Sequence, residues 1–482
     1  MDAMVIVGLA IAIVAIVGLS IYTGMRGGKK GGKISWGVAA GLIMGTLVGG
    51  TSTVGTAQLA FNYGMTAWWF TLGGGLGCLV LALIYVKPLR AQSSPTLVGM
   101  VRDEYGPKVG MAATLLNSIG TFINILSQLI AASAVVVVVF ETMGTVVAII
   151  LSAVFMVLYV VFGGTKGAGI VGILKTVLLY VSMVICGVIV LNKLGGVGGF
   201  TDTVNTMVIQ NTKGEIVDRN LWSLFGRGFW TDFGSCMSLI LGVLTTQTYA
   251  QAVLNARSDK DGCVAALIST ILIPIIGIFG IMVGLYMRTV VTPEVAAAES
   301  AALAKVALTS FILNYSGIPS ILAGIMLGAL FIASVGTGAG LSLGIATVVN
   351  RDLINKGKAG DPKKTDRTNK LLIIVILAVA TVLTCILPAD TIQDYAFLSM
   401  ALRGCTVFAP LCFLIWASKR VSSKYAMVSV VAGSIVALIY GVLKLNGTIT
   451  FPLAAVFPGI AVGLIVMFVG LAGSKNQKTL KA

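Results

Sequence analysis

Apolar stretches of about 20 residues, enough for a helix to cross about 30 Å of hydrocarbon, recur along the whole chain between short polar loops. Hydropathy and loop punctuation place thirteen of them, at roughly 3–24, 34–62, 64–86, 109–140, 144–162, 168–191, 229–254, 263–287, 318–349, 371–388, 395–418, 425–445 and 453–472. The ten-residue alternation of a membrane β-barrel is missing. The pattern therefore predicts an all-α integral membrane protein, a single transmembrane domain over residues 1–482. The first stretch has no basic leading region and no clear small-residue cleavage site, so it is read as a retained helix. An odd number of crossings puts the two termini on opposite sides.

Two stretches depart from the pattern. GTLVGGTSTVGTA, residues 45–57, lies in the second span and is built of glycine and small hydroxyls. Glycine weakens a helix and hydroxyls offer its backbone other partners, so Gly49, Gly50, Thr51, Ser52 and Thr53 together predict a break near 47–52. A break at mid-membrane frees carbonyls and helix ends that hold cations or polar solutes. The second stretch, ASVGTGAGLSLG at 333–344, places glycines 336, 340 and 344 on one face of the ninth span. Either this face packs tightly on another helix, or it lets residues 333–337 approach the break around an ion or solute.

Composition excludes a soluble domain, since 57% of residues are hydrophobic, 10% are charged and the mean hydropathy is +1.00. The 33 Lys and Arg mostly fall in alternate loops. These include Arg26, Lys29, Lys30, Lys166, Lys356 and Lys358, whereas the opposite loops hold Lys193, Lys213, Arg219, Arg227, Arg288, Lys305 and Lys444. Cytoplasmic loops retain positive charge, which predicts a multi-pass protein of the cell membrane with its N-terminus outside and C-terminus inside. That bias accounts for the net charge of +16 without a nucleic-acid partner. The partner expected from this pattern is membrane lipid. Seven scattered cysteines without a CxxC pair are read as reduced packing residues.

Sorting the cations into loops leaves two inside spans, Lys175 in the sixth and Arg403 near the middle of the eleventh. An intramembrane cation faces a cavity or a polar partner, or else caps carbonyls and snorkels. Acidic residues keep to loops and span ends, as with Asp232, Asp390 and Asp394, and histidine is absent. That removes carboxylate and imidazole proton relays, HExxH zinc chemistry and Ser-His-Asp hydrolysis, so no enzyme is expected. No phosphate-binding loop appears either, so transport would run on gradients. At the break, Thr51, Ser52 and Thr53, with Gln58 beyond them, offer hydrogen bonds to a solute; Trp68, Trp69 and Phe122 offer apolar walls. Arg403, if it faces the cavity, suits a carboxylate.

At these positions the chain resembles the sodium:solute symporter family. The likeness is carried by GTAQLAFNYGMTAWWFTLGGGLGCLVLALIYVKPLR with TLVGMVRDEYG after it, by FGGTKGAG at 162–169, and by TTQTYAQAVLNARSDKDG at 245–262. ASVGTGAGLSLGIATVVNRDL, followed by ALRGCTVFAPLCFLIW, completes it. The resemblance implies a core over about 34–418 of two inverted five-helix repeats, spans 2–6 and 7–11, each opening on a broken helix. Segments 3–24, 425–445 and 453–472 would be peripheral. It also implies a sodium site from the carbonyls of Gly45, Val48 and Ala333 and two hydroxyls of the ninth span.

Here the chain departs from the family. One hydroxyl position is Thr337, but the other is Gly336, which supplies no oxygen. Where the family often has a Thr-Asp pair stand Val171 and Gly172, and Lys175 stands where it often has glutamine. Other transporters of this fold that dispense with sodium place a cationic side chain near that site. The resemblance thus implies a secondary active transporter that carries a small organic solute by cation-coupled symport and alternating access, with sodium as coupling ion and no other cofactor. The local chemistry implies sodium-independent, proton-coupled transport with Lys175 in the ion's place. A third reading is a non-transporting sensor or a channel-like relative.

Overall fold

The computed structural model describes residues 2–25, 33–163, 168–207, 209–210, 216–217, 219–290, 297–355, 362–387 and 392–479. The loop residues Arg26, Lys29, Lys30, Lys166, Lys213, Lys356, Lys358 and Asp390 lie outside them, as does the centre of FGGTKGAG. In chain order the helices are α1 (Ala3–Met25), α2 (Trp36–Leu47), α3 (Gly50–Tyr63), α4 (Trp69–Val80), α5 (Val86–Arg90), α6 (Leu97–Tyr105) and α7 (Pro107–Val139). Then come α8 (Thr145–Gly163), α9 (Ala168–Lys193), α10 (Gly196–Asn205), α11 (Phe229–Thr245), α12 (Gln247–Leu254) and α13 (Asp259–Thr289). The last are α14 (Ala297–Lys305), α15 (Ala307–Ser310), α16 (Ser320–Val348), α17 (Pro362–Ile386), α18 (Ile392–Trp416), α19 (Ser423–Leu445) and α20 (Val456–Thr479). A two-residue antiparallel pair, Ile209–Gln210 with Ile216–Val217, is the sole sheet among the described residues.

Each apolar stretch falls on helix, and three are interrupted. The second divides into α2 and α3, the seventh into α11 and α12, bent by 48°, and the third begins with a tight turn at Gly64–Trp68 before α4. By length and apolarity nine helices among the described residues are able to cross a membrane, or ten with the bent pair as one; α1, α2 and α8 add shorter apolar lengths. The most enclosed are α7, α16 and α18, while α17, α19 and α20 leave more surface outward.

Glycine sets how closely the helices meet. A Cβ on Gly45 would lie 3.1 Å from Gly172 Cα, and one on Gly41 would lie 2.3 Å from Ile173 Cγ1, so the two glycines form the groove that takes α9 against α2. A Cβ on Gly284 of α13 would lie 2.3 Å from the Ala57 carbonyl of α3. The glycine face of α16 behaves otherwise, for Cβ atoms at Gly340 and Gly344 would meet nothing within 4 Å. Tight packing is therefore not their role among the described residues; on that helix a Cβ would be crowded at Gly324, Gly328 and Gly338, 2.2 Å from Val5 O, 2.7 Å from Ala12 Cβ and 2.7 Å from Met156 Cε.

Both ends of the core are tied. Arg90 donates to Asp259 at 2.6 Å and to the carbonyls of Val253, Leu254 and Ala256 at 2.7, 3.1 and 2.9 Å, capping the end of α12. Beside it the Ile34 N–H donates to Asn255 O at 2.8 Å and its carbonyl accepts from Arg257 N at 2.9 Å. At the other end the loop before α11 covers α3, where Arg219 donates to Asn62 O at 2.6 Å and Met65 N to Leu221 O at 2.8 Å. The two tryptophans expected as cavity walls serve this frame instead. Trp68 donates to Pro274 O at 2.9 Å and Trp69 to Leu224 O at 2.6 Å, because an indole N–H inside an apolar body needs an acceptor. Phe122 is half-buried against the core. The cysteines are all free; Cys78, Cys186, Cys236 and Cys405 are buried, and Cys385 is exposed.

Gly284→Ala should lower the melting temperature in detergent, by the equivalent of about 1–3 kcal/mol, because the Ala57 carbonyl is backbone and cannot swing aside. Gly340→Ala should leave it unchanged or raise it by up to about 1 kcal/mol through helix propensity. Equal melts for the two variants would contradict this packing.

Candidate functional site

The first break lies at Val48 and Gly49, whose φ/ψ of −82/101 and −153/−156 are extended. Backbone groups freed in an apolar interior must find partners. Ser52 Oγ accepts from the Gly49 N–H at 2.9 Å and donates to its carbonyl at 3.0 Å, and Thr53 Oγ1 donates to the same carbonyl at 2.8 Å. Ser52 and Thr53, expected to face a solute, thus close the break on itself. Thr51 alone of the three reaches outward, to Ser127 Oγ at 3.1 Å, and accepts from Gln128 Nε2 at 2.8 Å. Gln58 accepts from the Ile392 N–H at 2.9 Å, at the start of α18.

The break rests on α16. A Cβ on Gly49 would stand 2.9 Å from Thr337 Oγ1, and one on Gly50 would stand 2.2 Å from Ser334 Oγ. Between α2 and α16 lies the amine of Lys175. Its Nζ donates to Gly45 O at 2.8 Å, to Thr337 Oγ1 at 2.8 Å and to Ala333 O at 3.4 Å, using the three protons of an ammonium. Thr337 Oγ1 donates its own proton to Ala333 O at 2.8 Å, leaving a lone pair for the amine. Of the positions that the resemblance implied for sodium, the lysine gathers Gly45, Ala333 and Thr337. It makes no hydrogen bond to Val48. Gly336 faces elsewhere, since a Cβ there would lie 3.4 Å from the Tyr159 hydroxyl.

Arg403 is 1% exposed and holds the second break. Thr246, between α11 and α12, has φ/ψ of −88/125, and its Oγ1 accepts from Arg403 Nη1 at 2.9 Å. Arg403 also donates to Ser399 O, Ser399 Oγ and Met400 Sδ at 3.2, 2.9 and 3.1 Å, so four of its five N–H groups are engaged within the protein. The carboxylate-binding fork expected of it is therefore not free as it stands. Gly120 makes the room, for a Cβ there would lie 2.8 Å from Arg403 Cγ.

Two groups of polar residues escaped the sequence reading. Thr51 stands between Gln128 of α7 and Gln393 of α18, whose Nε2 donates to Thr56 Oγ1 at 2.8 Å and Thr51 O at 3.4 Å. The spacing of Asn117, Thr121, Asn124 and Gln128 along one face of an apolar span was a legible signal. The other group is Arg227, which donates to Asp232 Oδ1 at 2.8 Å and to Asp394 Oδ1 at 2.9 Å beside Lys444, lining a cavity of about 260 Å³ between α11, α18 and α19.

Two broken helices, each met by a cation from another span, lie within an all-helical membrane body, and discontinuous helices of this kind are what inverted-repeat transporters use at their binding sites. The fold matches that of a Na+-coupled sialic acid symporter in a substrate-bound outward-open state, with TM-score 0.73 at 18% identity over 98% of each chain. It also matches Mhp1, a nucleobase-cation-symport-1 family transporter, with TM-score 0.54 at 10% identity over 93% of this chain and 96% of that one. The family model of the sodium:solute symporter family matches residues 29–433, and the chain belongs to that family. A relative from Bacillus subtilis (strain 168), the uncharacterized symporter YwcA, is 31% identical over 194 residues. That match spans 38% of this chain and 37% of the length of the relative.

A buried guanidinium with no carboxylate partner carries a desolvation cost that an apolar side chain of similar length does not, and in Arg403→Met that gain offsets the hydrogen bonds lost. Arg403→Met should therefore fold to within about twofold of the parent amount, the equivalent of about 0.4 kcal/mol, but lose solute uptake because Thr246 is no longer held. Size-exclusion profiles and proteoliposome uptake measure the two. Full uptake by the variant would show that the tether is dispensable.

Proposed function

We propose that the chain is a secondary active transporter, and not an enzyme, that moves a small organic solute across the cell membrane by alternating access, with its N-terminus outside. Family membership and fold support that reading. We further propose that Lys175 takes the place of the coupling sodium ion, so that the coupling cation is a proton carried on its amine. Gly45, Ala333 and Thr337 would be the cradle, with Val48 and Gly336 at its edge and Thr51 the hydroxyl nearest the solute.

The observation that carries the coupling reading is the position of Lys175 Nζ, 2.8 Å from both Gly45 O and Thr337 Oγ1. Oxygens that a dehydrated sodium ion would need are already donated to. Two unit charges 4 Å apart repel by about 4 kcal/mol at an effective dielectric of 20, so ammonium and sodium exclude one another there. Gly336 adds to this, since the position is one oxygen short of the donor set the family uses.

Uptake by the purified protein in proteoliposomes should persist when sodium is replaced by N-methylglucamine and should be driven by an inward proton gradient. Lys175→Ala should lose at least about tenfold of the gradient-driven rate, the equivalent of about 1.4 kcal/mol in the barrier, while exchange of solute at equilibrium survives better. Strict dependence of the parent on sodium would overturn the lysine reading and leave sodium symport standing.

A further inference from the structure

We propose that the solute is a small uncharged molecule rich in hydrogen-bond donors, and that the carboxamide oxygens of Gln128 and Gln393 receive it; this rests on the transporter reading above. Gln128 is 3% exposed and Gln393 is 0% exposed. Both are anchored through their amide nitrogens, and the order of protons around them fixes which end is which. Ser127 Oγ donates to Asn124 Oδ1 at 2.9 Å, so Thr51 donates to Ser127 and is left to accept from Gln128 Nε2. Thr56 Oγ1 donates to Ser52 O at 3.0 Å and is likewise left to accept from Gln393 Nε2, which also turns toward the Thr51 carbonyl. The nitrogen ends are committed.

That leaves Oε1 of each side chain buried and without a partner. Buried polar groups are nearly always paired, and these two belong to carboxamides that converge on one residue, Thr51, from different helices. An oxygen in this state accepts and cannot donate. What completes it is an N–H or O–H of an arriving molecule.

The neighbours decide the charge of that molecule. A Cβ on Gly49 would lie 3.5 Å from Gln128 Oε1 and 2.9 Å from Thr337 Oγ1, the atom that holds the Lys175 amine. The ammonium is thus close behind Gln128, and a cationic solute would be repelled. An anion would meet two lone-pair oxygens with no proton to offer it, and the Arg403 donors are mostly spent. A neutral amide, ureide or polyol has the required donors and no charge.

The test is thermal melting of the purified full chain against neutral amides and ureides, led by allantoin, and polyols, led by myo-inositol, with lactate as the anion and glycine betaine as the donor-free control. We expect a concentration-dependent rise in melting temperature with a neutral donor series and none with lactate or betaine. The two neutral series separate N–H from O–H donors. In Gln128→Met and Gln393→Met the apparent affinity should fall at least about tenfold, the equivalent of about 1.4 kcal/mol. If a methionine variant fails to fold, Gln128→Asn and Gln393→Asn keep the amide and withdraw it by one carbon, and the same loss is expected.

Stabilisation by lactate, unchanged affinity in the variants, or no response to any neutral donor would overturn the proposal. Lys175-dependent uptake of lactate would leave the transporter reading intact and overturn only the solute class. Binding of myo-inositol or allantoin without uptake of either would do the reverse.

Discussion

A helix that breaks inside hydrocarbon leaves N–H and C=O groups that no solvent will satisfy, and the centre of this protein is organised around that deficit. The first break is answered twice. Ser52 and Thr53 turn back on Gly49 and close its own N–H and carbonyl, while Lys175 crosses from α9 to the Gly45 carbonyl one turn earlier. The second break is answered by Arg403, which crosses from α18 to Thr246. These partners offset part of the cost of leaving the freed groups in an apolar interior.

The two cations occupy corresponding places. On the repeat bounds that the family resemblance implies, Lys175 would be on the fifth helix of the first repeat and Arg403 on the fifth helix of the second; each reaches a broken helix, Lys175 at Gly45 and Arg403 at Thr246. Their environments differ in a telling way. Lys175 bridges two helices, α2 and α16, through three neutral oxygens, so any rocking of one against the other must release or carry the amine. Arg403 bonds chiefly to its own helix and to one hydroxyl, which makes it a brace.

The departures from the family pattern form a consistent set. Gly172, where the family often has an acid, lets α9 approach Gly45 closely enough for the lysine one turn on to reach the carbonyl. An aspartate there would both hold the helices apart and offer the lysine a carboxylate. Gly336 leaves its position without an oxygen, and Tyr159 packs across it. On the proposed coupling by Lys175, each change would weaken a sodium site and together they would suit an ammonium.

Much was legible in the chain alone, and the reason is the membrane. Hydrocarbon requires long apolar runs and tolerates broken backbone only where it is buried, so the spans, the break at 47–52 and the isolation of Lys175 and Arg403 all followed from residue type and order. Direction did not follow. That Ser52 and Thr53 serve the break while Thr51 faces α7, that Arg403 spends its donors on Ser399 and Thr246, and that Gly340 and Gly344 meet no helix among the described residues depend on which face of each helix turns inward. In spans as uniformly apolar as these, a helix carries little periodic mark of its buried side. Only packing between helices decided that, and with it which hydroxyls and amides were left to receive a solute.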